Sequence, residues 1–213
     1  MKKLLLLVVL LGVSAHAQWI ARGSMGLNVV SMSDLRDYLN ANYFGSGNQL
    51  AQFTSAIEFG GEICYQINPD YQLGLEFSYE YNSFTETIIS TSTFSYASLQ
   101  PTALWYYTIT GSGYQFKFGG GVGPRFILAS ETSPYTTAVI NYKSFGYGVV
   151  TKADAMTALG GNFYAYIGVD LRYNNNGTLS DANGNKKINN VTNNPLSLNS
   201  VSAGIKVGVA ATL

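Results

Sequence analysis

From Trp19 onward the chain repeats with a period of two. Val201, Ala203, Ile205, Val207, Val209, Ala211 and Leu213 alternate with Ser200, Ser202, Gly204, Lys206, Gly208, Ala210 and Thr212. Phe163, Ala165, Ile167, Val169, Leu171 and Tyr173 share one face, with Tyr164, Tyr166, Gly168, Asp170 and Arg172 on the other. Around Tyr71 the apolar set is Tyr71, Leu73, Leu75, Phe77, Tyr79 and Tyr81, against Gln72, Gly74, Glu76, Ser78, Glu80 and Asn82. Ile57, Phe59, Ile63, Tyr65 and Ile67 alternate in the same way with Glu58, Gly60, Glu62, Cys64 and Gln66. Such alternation puts one apolar and one polar face on an extended strand. No helical spacing fits these runs as well.

The pattern predicts eight strands, near 19–31, 51–67, 71–83, 93–109, 114–128, 147–159, 163–173 and 199–213. The sixth has the least contrast, because Lys152, Asp154 and Met156 sit among small residues. Connections alternate in length. Asn68-Pro69-Asp70, Thr110-Gly111-Ser112-Gly113 and Gly160-Gly161-Asn162 are short and built of turn formers. The other connections, 32–50, 84–92, 129–146 and 174–198, are longer and polar, with a short helix expected at Asp34–Ala41. Short turns at one end and long loops at the other are the plan of a membrane-spanning barrel. In lipid every backbone N–H and C=O must be paired, so such a sheet has to close on itself. Trp19, Tyr65, Tyr71, Trp105, Tyr107, Phe116 and Phe163 fall near segment ends, where interfacial aromatics belong. The expected fold is all-β: an eight-stranded, antiparallel, up-and-down transmembrane β-barrel.

The polar face carries the charge. Glu58, Glu62, Glu76, Glu80, Asp154 and Asp170 and the bases Arg22, Lys117, Arg125, Lys152, Arg172 and Lys206 all fall on expected lumen positions. Six acids against six bases leave no net interior charge. Buried charges persist when paired and hydrogen-bonded. The expectation is a salt-bridged, largely plugged interior, because eight strands enclose a bore that side chains fill. Glycines on this face, Gly60, Gly74, Gly119, Gly121, Gly123, Gly168 and Gly204, are expected to make room for long Arg and Lys side chains.

The first residues carry an export signal. Lys2 and Lys3 precede the apolar run Leu4–Val13, and Ala15-His16-Ala17 supplies a small-x-small cleavage pattern. Cleavage between Ala17 and Gln18 leaves a signal peptide at 1–17 and a barrel domain at 18–213. The apolar run is shorter than the roughly 20 residues a spanning helix needs. No Cys follows the cleavage site, so a lipid-anchored start is not indicated. Charged residues make up 11% of the chain, against about 25% in soluble domains. Sixteen Tyr and 23 Gly, with Asn, Ser and Thr, supply the polarity. Without Lys2 and Lys3, ten bases face twelve acids, a formal charge of −2 that gives no footing for nucleic acid.

Catalysis has little to work with. The sole histidine, His16, lies in the signal segment, so the His-based hydrolase or acyl-transferase chemistry of enzymatic barrels has no base. Glu58 and Glu62 share a strand face and stand as acid partners for lumen bases. Gly119–Gly123 sits inside a strand pattern and opens no helix, so it is not a phosphate loop. Asp181-Ala182-Asn183-Gly184-Asn185 lacks the glycine position and the closing Glu of a calcium loop, and reads as a flexible surface loop. Asn176-Gly177-Thr178 and Asn190-Val191-Thr192 match glycosylation acceptors, which mean little if the host is a bacterium of the Gram-negative type. Cys64 is alone. No enzyme, cofactor or metal site is expected.

Leu99-Gln100-Pro101-Thr102-Ala103-Leu104-Trp105-Tyr106-Tyr107, Gly119-Gly120-Gly121-Val122-Gly123 and the run Phe163–Tyr173 resemble the small bacterial outer-membrane β-barrel family, the OmpX-like and OmpW-like proteins. Gly204-Ile205-Lys206-Val207-Gly208-Val209 is similar to the family's last strand, although the family usually ends in an aromatic residue and this chain ends in Leu213. The resemblance implies residence in outer-membrane lipid of a Gram-negative-type bacterium. It also implies delivery by periplasmic chaperones and insertion by the barrel-assembly machinery. Two roles follow as expectations. One is a structural or surface-interaction barrel acting through its long loops, with Tyr135, Tyr142, Phe145 and the Asn-rich 174–194 stretch exposed for recognition. The other is a narrow channel or lateral passage for small apolar molecules, with an aromatic pocket from Phe94, Tyr96 and Tyr147 at the outer mouth.

Overall fold

The computed structural model of the chain describes residues 19–44, 49–87, 91–132 and 138–213; the expected signal peptide, with Ala17 and Gln18, lies outside the described residues. Eight long strands form the wall: β1 (Trp19–Ser31), β2 (Thr54–Asn68), β3 (Tyr71–Thr87), β4 (Thr91–Gly111), β5 (Tyr114–Thr132), β6 (Val139–Gly160), β7 (Phe163–Asn175) and β10 (Ser200–Thr212). Each pairs antiparallel with its neighbours in sequence, and β1 pairs with β10 as well as β2, which closes the barrel. Between β7 and β10 lies a two-stranded ribbon, β8 (Ile188–Asn189) and β9 (Asn194–Pro195). Helix α1 (Ser33–Asn42) follows β1, close to the expected Asp34–Ala41.

The period of two sets the faces as expected. Met25, Leu27, Ile57, Phe59, Leu75, Phe77, Ile167, Ile205 and Val207 are all exposed, while their polar neighbours turn inward and are buried or half-buried. A chain that left this much apolar surface in water would aggregate; facing lipid, it is the expected band. Aromatics mark both edges ten positions apart, as Tyr71 and Tyr81 in β3, Phe116 and Phe126 in β5, and Phe163 and Tyr173 in β7. That matches the roughly 9–11 residues a tilted strand needs to cross a bilayer. At the short-turn edge Trp19 packs on Tyr65 with ring centres 5.0 Å apart; at the other, Phe126 packs on Phe145 at 5.3 Å. The tight turns place Gly113 at φ +81° and Gly161 at φ +56°, values that favour a residue without a Cβ.

The upper half departs from expectation. β3, β4, β5 and β6 run 17, 21, 19 and 22 residues, against 13 for β1, β7 and β10. They continue through most of what was expected to be loop at 84–92 and 129–146, pairing up to Thr87↔Thr91 and Thr132↔Val139. Above the bilayer the outward face no longer has to be apolar: in the stretches expected as loop, Thr85 and Asn141 face outward while Phe84 and Tyr142 turn inward, the reverse of the polarity that marks the strands below. The aromatic pocket does not form. Phe94 and Tyr96 point inward and are fully buried, whereas Tyr147 points outward. Tyr142 is buried on the inner face and Phe145 packs on the lipid side, so neither is a loop recognition residue; Tyr135 lies outside the described residues.

The ladder between β4 and β5 is interrupted at one place. β4 and β5 pair through Leu99↔Phe126 and again from Ala103↔Val122, with Pro101 and Pro124 facing each other in the gap. Neither proline has an N–H to give.

Candidate functional site: the lumen and its outer cap

All twelve lumen charges named above are buried. Nine of them form one continuous network. Arg22 bridges Glu62 and, at 2.8 Å, Asp154; Lys152 joins Glu62 at 3.1 Å and also contacts Glu76. Arg172 takes Glu76 at 2.8 Å, Asp170 at 3.1 Å and Glu58 at 3.2 Å, and Lys206 takes Glu58 at 2.6 Å and Asp170 at 2.8 Å. Neutral side chains supply further bonds: Arg172 donates to Ser78 Oγ and Gln100 Oε1, and the Tyr106 hydroxyl donates to Glu62. Arg22 also lies over the Tyr166 ring, 4.7 Å from its centre.

Arg22 and Glu62 are neighbours on paired strands, and the bonds of Lys152, Arg172 and Lys206 to Glu58, Glu62 and Glu76 cross the bore. Glu58 stands directly opposite Glu80 on β2 and β3, and Glu62 opposite Glu76. Like charges in that position repel, and the acid wall gains its cations from β1, β6, β7 and β10. The remaining three charges have no ionic partner among the described residues. Glu80 receives hydrogen bonds from Asn28 Nδ2 at 2.6 Å and Tyr96 at 3.4 Å. Lys117 reaches Cys64 Sγ at 3.6 Å and the Tyr106 ring, while the Cys64 thiol donates to Glu62. Arg125 serves the break in the wall: its Nη1 donates to the carbonyls of Pro101, Gly123 and Pro124 at 3.0–3.3 Å and to Thr102 Oγ1, and its Nε to Asn174 Oδ1 at 2.6 Å. A guanidinium thus replaces the amide donors that the facing prolines lack.

The glycine expectation shifts accordingly. The Cβ of any residue replacing Gly119 would strike the Tyr106 ring and the Trp105 carbonyl, so Gly119 clears an aromatic and a close strand rather than a cation. Space for Arg125 comes from Gly148, where a Cβ would lie 2.5 Å from the guanidinium Nε. Its sequence signal was alternation alone.

The outer mouth is closed by a cap that the sequence left as open loops. Leu35 and Leu39 of α1 and Leu179, Leu196 and Leu198 of the 176–199 segment are buried against Val30, Phe94, Tyr96 and Ile127 of the wall. Asn189 Nδ2 donates to the Asp34 carbonyl and Ser197 to the Asp34 carboxylate, which ties the two pieces together. Asp181 folds its own turn, accepting from Asn183 N and Asn185 N at 2.8 Å and Asn185 Nδ2 at 3.0 Å. The expected flexible loop is therefore a set turn.

One carboxylate latches cap to wall. Glu131, near the top of β5, accepts from Tyr38, from Tyr43 at 2.6 Å, from Tyr142 at 3.1 Å and from Lys187 at 2.7 Å. Lys187 also lies over the Tyr38 ring at 5.0 Å. Burial, helped by the bond to Glu131, pushes the Tyr38 and Tyr43 hydroxyls well above the usual phenol range, so both remain donors at neutral pH. Hydrogen bonds to a charged group contribute about 1.5–3 kcal/mol each. Glu131→Ala is expected to loosen the cap and raise the rate of proteolytic cutting within 176–199 by roughly tenfold or more, because cutting follows the open population. An unchanged rate would show that the leucine cluster alone holds the cap.

No family model matches the chain, and no curated protein matches it. Its fold is nevertheless shared with solved structures. Neisserial surface protein A superposes with a TM-score of 0.54 at 15% identity, covering 93% of this chain and 99% of that one. Ail, the attachment invasion locus protein of Yersinia pestis, gives 0.51 at 14%, covering 93% and 99%. The outer membrane protein OprG of Pseudomonas aeruginosa gives 0.51 at 12%, covering 92% and 96%. The chain has the fold of the small outer-membrane β-barrels.

Proposed function

We propose that the chain is an integral outer-membrane barrel with a closed interior, serving a structural or surface-interaction role at the cell surface. The observation that carries this is the lumen: a continuous ion-pair network across the bore, closed above by a packed apolar cap. Solute passage would require breaking buried pairs, which costs several kcal/mol each. With two long segments folded in as the cap, the surface offered outward is the extended part of β3–β6 together with the cap's outer face. Among the described residues, β3 above Tyr81 pairs only with β4, and β6 above Tyr147 pairs with β5 and, on its other edge, bridges to the cap at Ser180. Such one-sided edges are ready to receive a partner strand. The names of two similar barrels, a surface protein and an attachment invasion protein, are in keeping with this role.

A second role, lateral passage of small apolar molecules, draws on the Pro101–Pro124 break in the wall. Arg125 occupies that break from inside, which weighs against it. Planar-bilayer conductance separates a closed barrel from a conducting one. Mature protein refolded in detergent and reconstituted is expected to give no steady openings. Reproducible openings that weaken when Glu80 or Arg125 is neutralised would replace the closed barrel with a small-solute channel.

A further inference from the structure

The outer wall carries an unneutralised cationic row just above the aromatic edge. On the outward face of β6, Lys143 lies two positions beyond Phe145 and opposite Leu128 of β5. Lys143 and Ser180 exchange backbone hydrogen bonds at 2.9 and 3.0 Å, and Ser180 bridges on to Lys186. Residues paired across antiparallel strands point to one face. Lys143 and Lys186 therefore flank the Ser180 hydroxyl on the outside, while Leu179 and Lys187 turn inward to the cap. Both lysines are exposed, and neither has a carboxylate partner among the described residues. The nearest acid in sequence, Asp181, is committed to its own turn.

Beside Lys143 the wall is hollowed. A depression of about 350 Å³ runs over Ser95, Ala97 and Ser130, where small side chains leave space between Tyr81, Leu128 and Asn141. Ser95 and Ser130 hydroxyls are bonded to each other at 2.8 Å on its floor. Its lower border belongs to the apolar band and its upper one to the polar extension. The ligand that matches this is amphiphilic and anionic: acyl chain or sugar in the hollow, phosphate on the lysines.

We infer that Lys143 and Lys186, with the hollow beside them, form a seat for one phosphorylated lipid headgroup of the outer leaflet. The inference rests on the outer-membrane placement proposed above. Headgroup phosphates lie at the level of the interfacial aromatics, and a lysine near an anionic membrane surface contributes enough that losing two weakens binding roughly thirtyfold.

The test uses the mature barrel in phosphatidylcholine nanodiscs containing a minority of bisphosphorylated lipid A or its dephosphorylated form. Lipid retained per barrel is read by native mass spectrometry, and folding is checked by heat-modifiable electrophoretic migration. Wild type is expected to retain the phosphorylated lipid. The double variant Lys143→Ser with Lys186→Ser is expected to lose it by about thirtyfold, and Ala97→Phe, which fills the hollow and leaves both lysines, is expected to weaken it as well. Equal retention of the two lipid forms by wild type, or equal retention by wild type and double variant, would overturn the seat. A wild-type chain that enters no bilayer would instead overturn the proposed membrane role.

Discussion

Arg172→Met is expected to lower the unfolding free energy of the barrel by about 3–5 kcal/mol, the usual cost of removing one partner from a buried ion pair. Arg172 touches Glu58, Glu76 and Asp170 and donates to Ser78 and Gln100, so its loss strips donors from five buried groups. Lys152 and Lys206 still serve the three acids, which keeps the cost within that range instead of multiplying it. Urea titration of refolded protein in detergent micelles or vesicles measures the loss. Adding Glu76→Leu to Arg172→Met removes an acid along with its base, and the double variant is expected to fall short of the summed single effects by about 1–3 kcal/mol. Simple additivity would mean that the bore is solvated well enough to screen the pair, which would overturn the tightly paired interior.

The same geometry gives the network a part in specifying the fold. Glu58, Glu62, Glu76 and Glu80 crowd one hairpin, in two directly opposed pairs. That hairpin is electrostatically poor on its own, and it becomes acceptable only when β1 sets Arg22 beside Glu62 and β6, β7 and β10 bring Lys152, Arg172 and Lys206 across the bore. Partial sheets leave these acids short of cations, whereas the closed ring supplies them. The charges thus act with the backbone's need for pairing in lipid, which also excludes an open edge.

Much of this was legible in the sequence because a period of two states two things at once: that a segment is a strand, and which way each side chain points. Lys206 between Ile205 and Val207 had to face the lumen if its neighbours faced lipid. The partner of each charge was not legible. Arg22 meets Asp154 across 132 positions, and nothing local in either strand says so. Nor was it legible that Arg125 would serve a break in the wall, because the meeting of Pro101 with Pro124 depends on the register of β4 against β5. The upper extensions were missed for a different reason. Once clear of lipid, the outward face of β3–β6 turns polar while the inward one carries Phe84, Ala129 and Tyr142 for the cap, so the polarity that marks the faces below is reversed. The cap left a faint signal in Leu179, Leu196 and Leu198, the leucines of a largely polar stretch, each of which proves to be fully buried.

Val207→Arg is expected to cost about 2–4 kcal/mol, the penalty for a cation on the lipid face at the bilayer midplane. Val207 is 52% exposed on β10, between Met25 and Ile167. It lies six positions from Val201, opposite Tyr173, and four from Ala211, opposite Phe163, so both aromatic edges are remote. Val201→Arg supplies the control. It makes the same substitution on the same face, but at the edge of the band, where the cost falls to about 0–1 kcal/mol. The two variants differ in depth and in little else, so their difference, measured by urea unfolding from vesicles, reports where the bilayer sits on the wall. Equal costs would move the band, and with it the height that puts Lys143 and Lys186 among the headgroups.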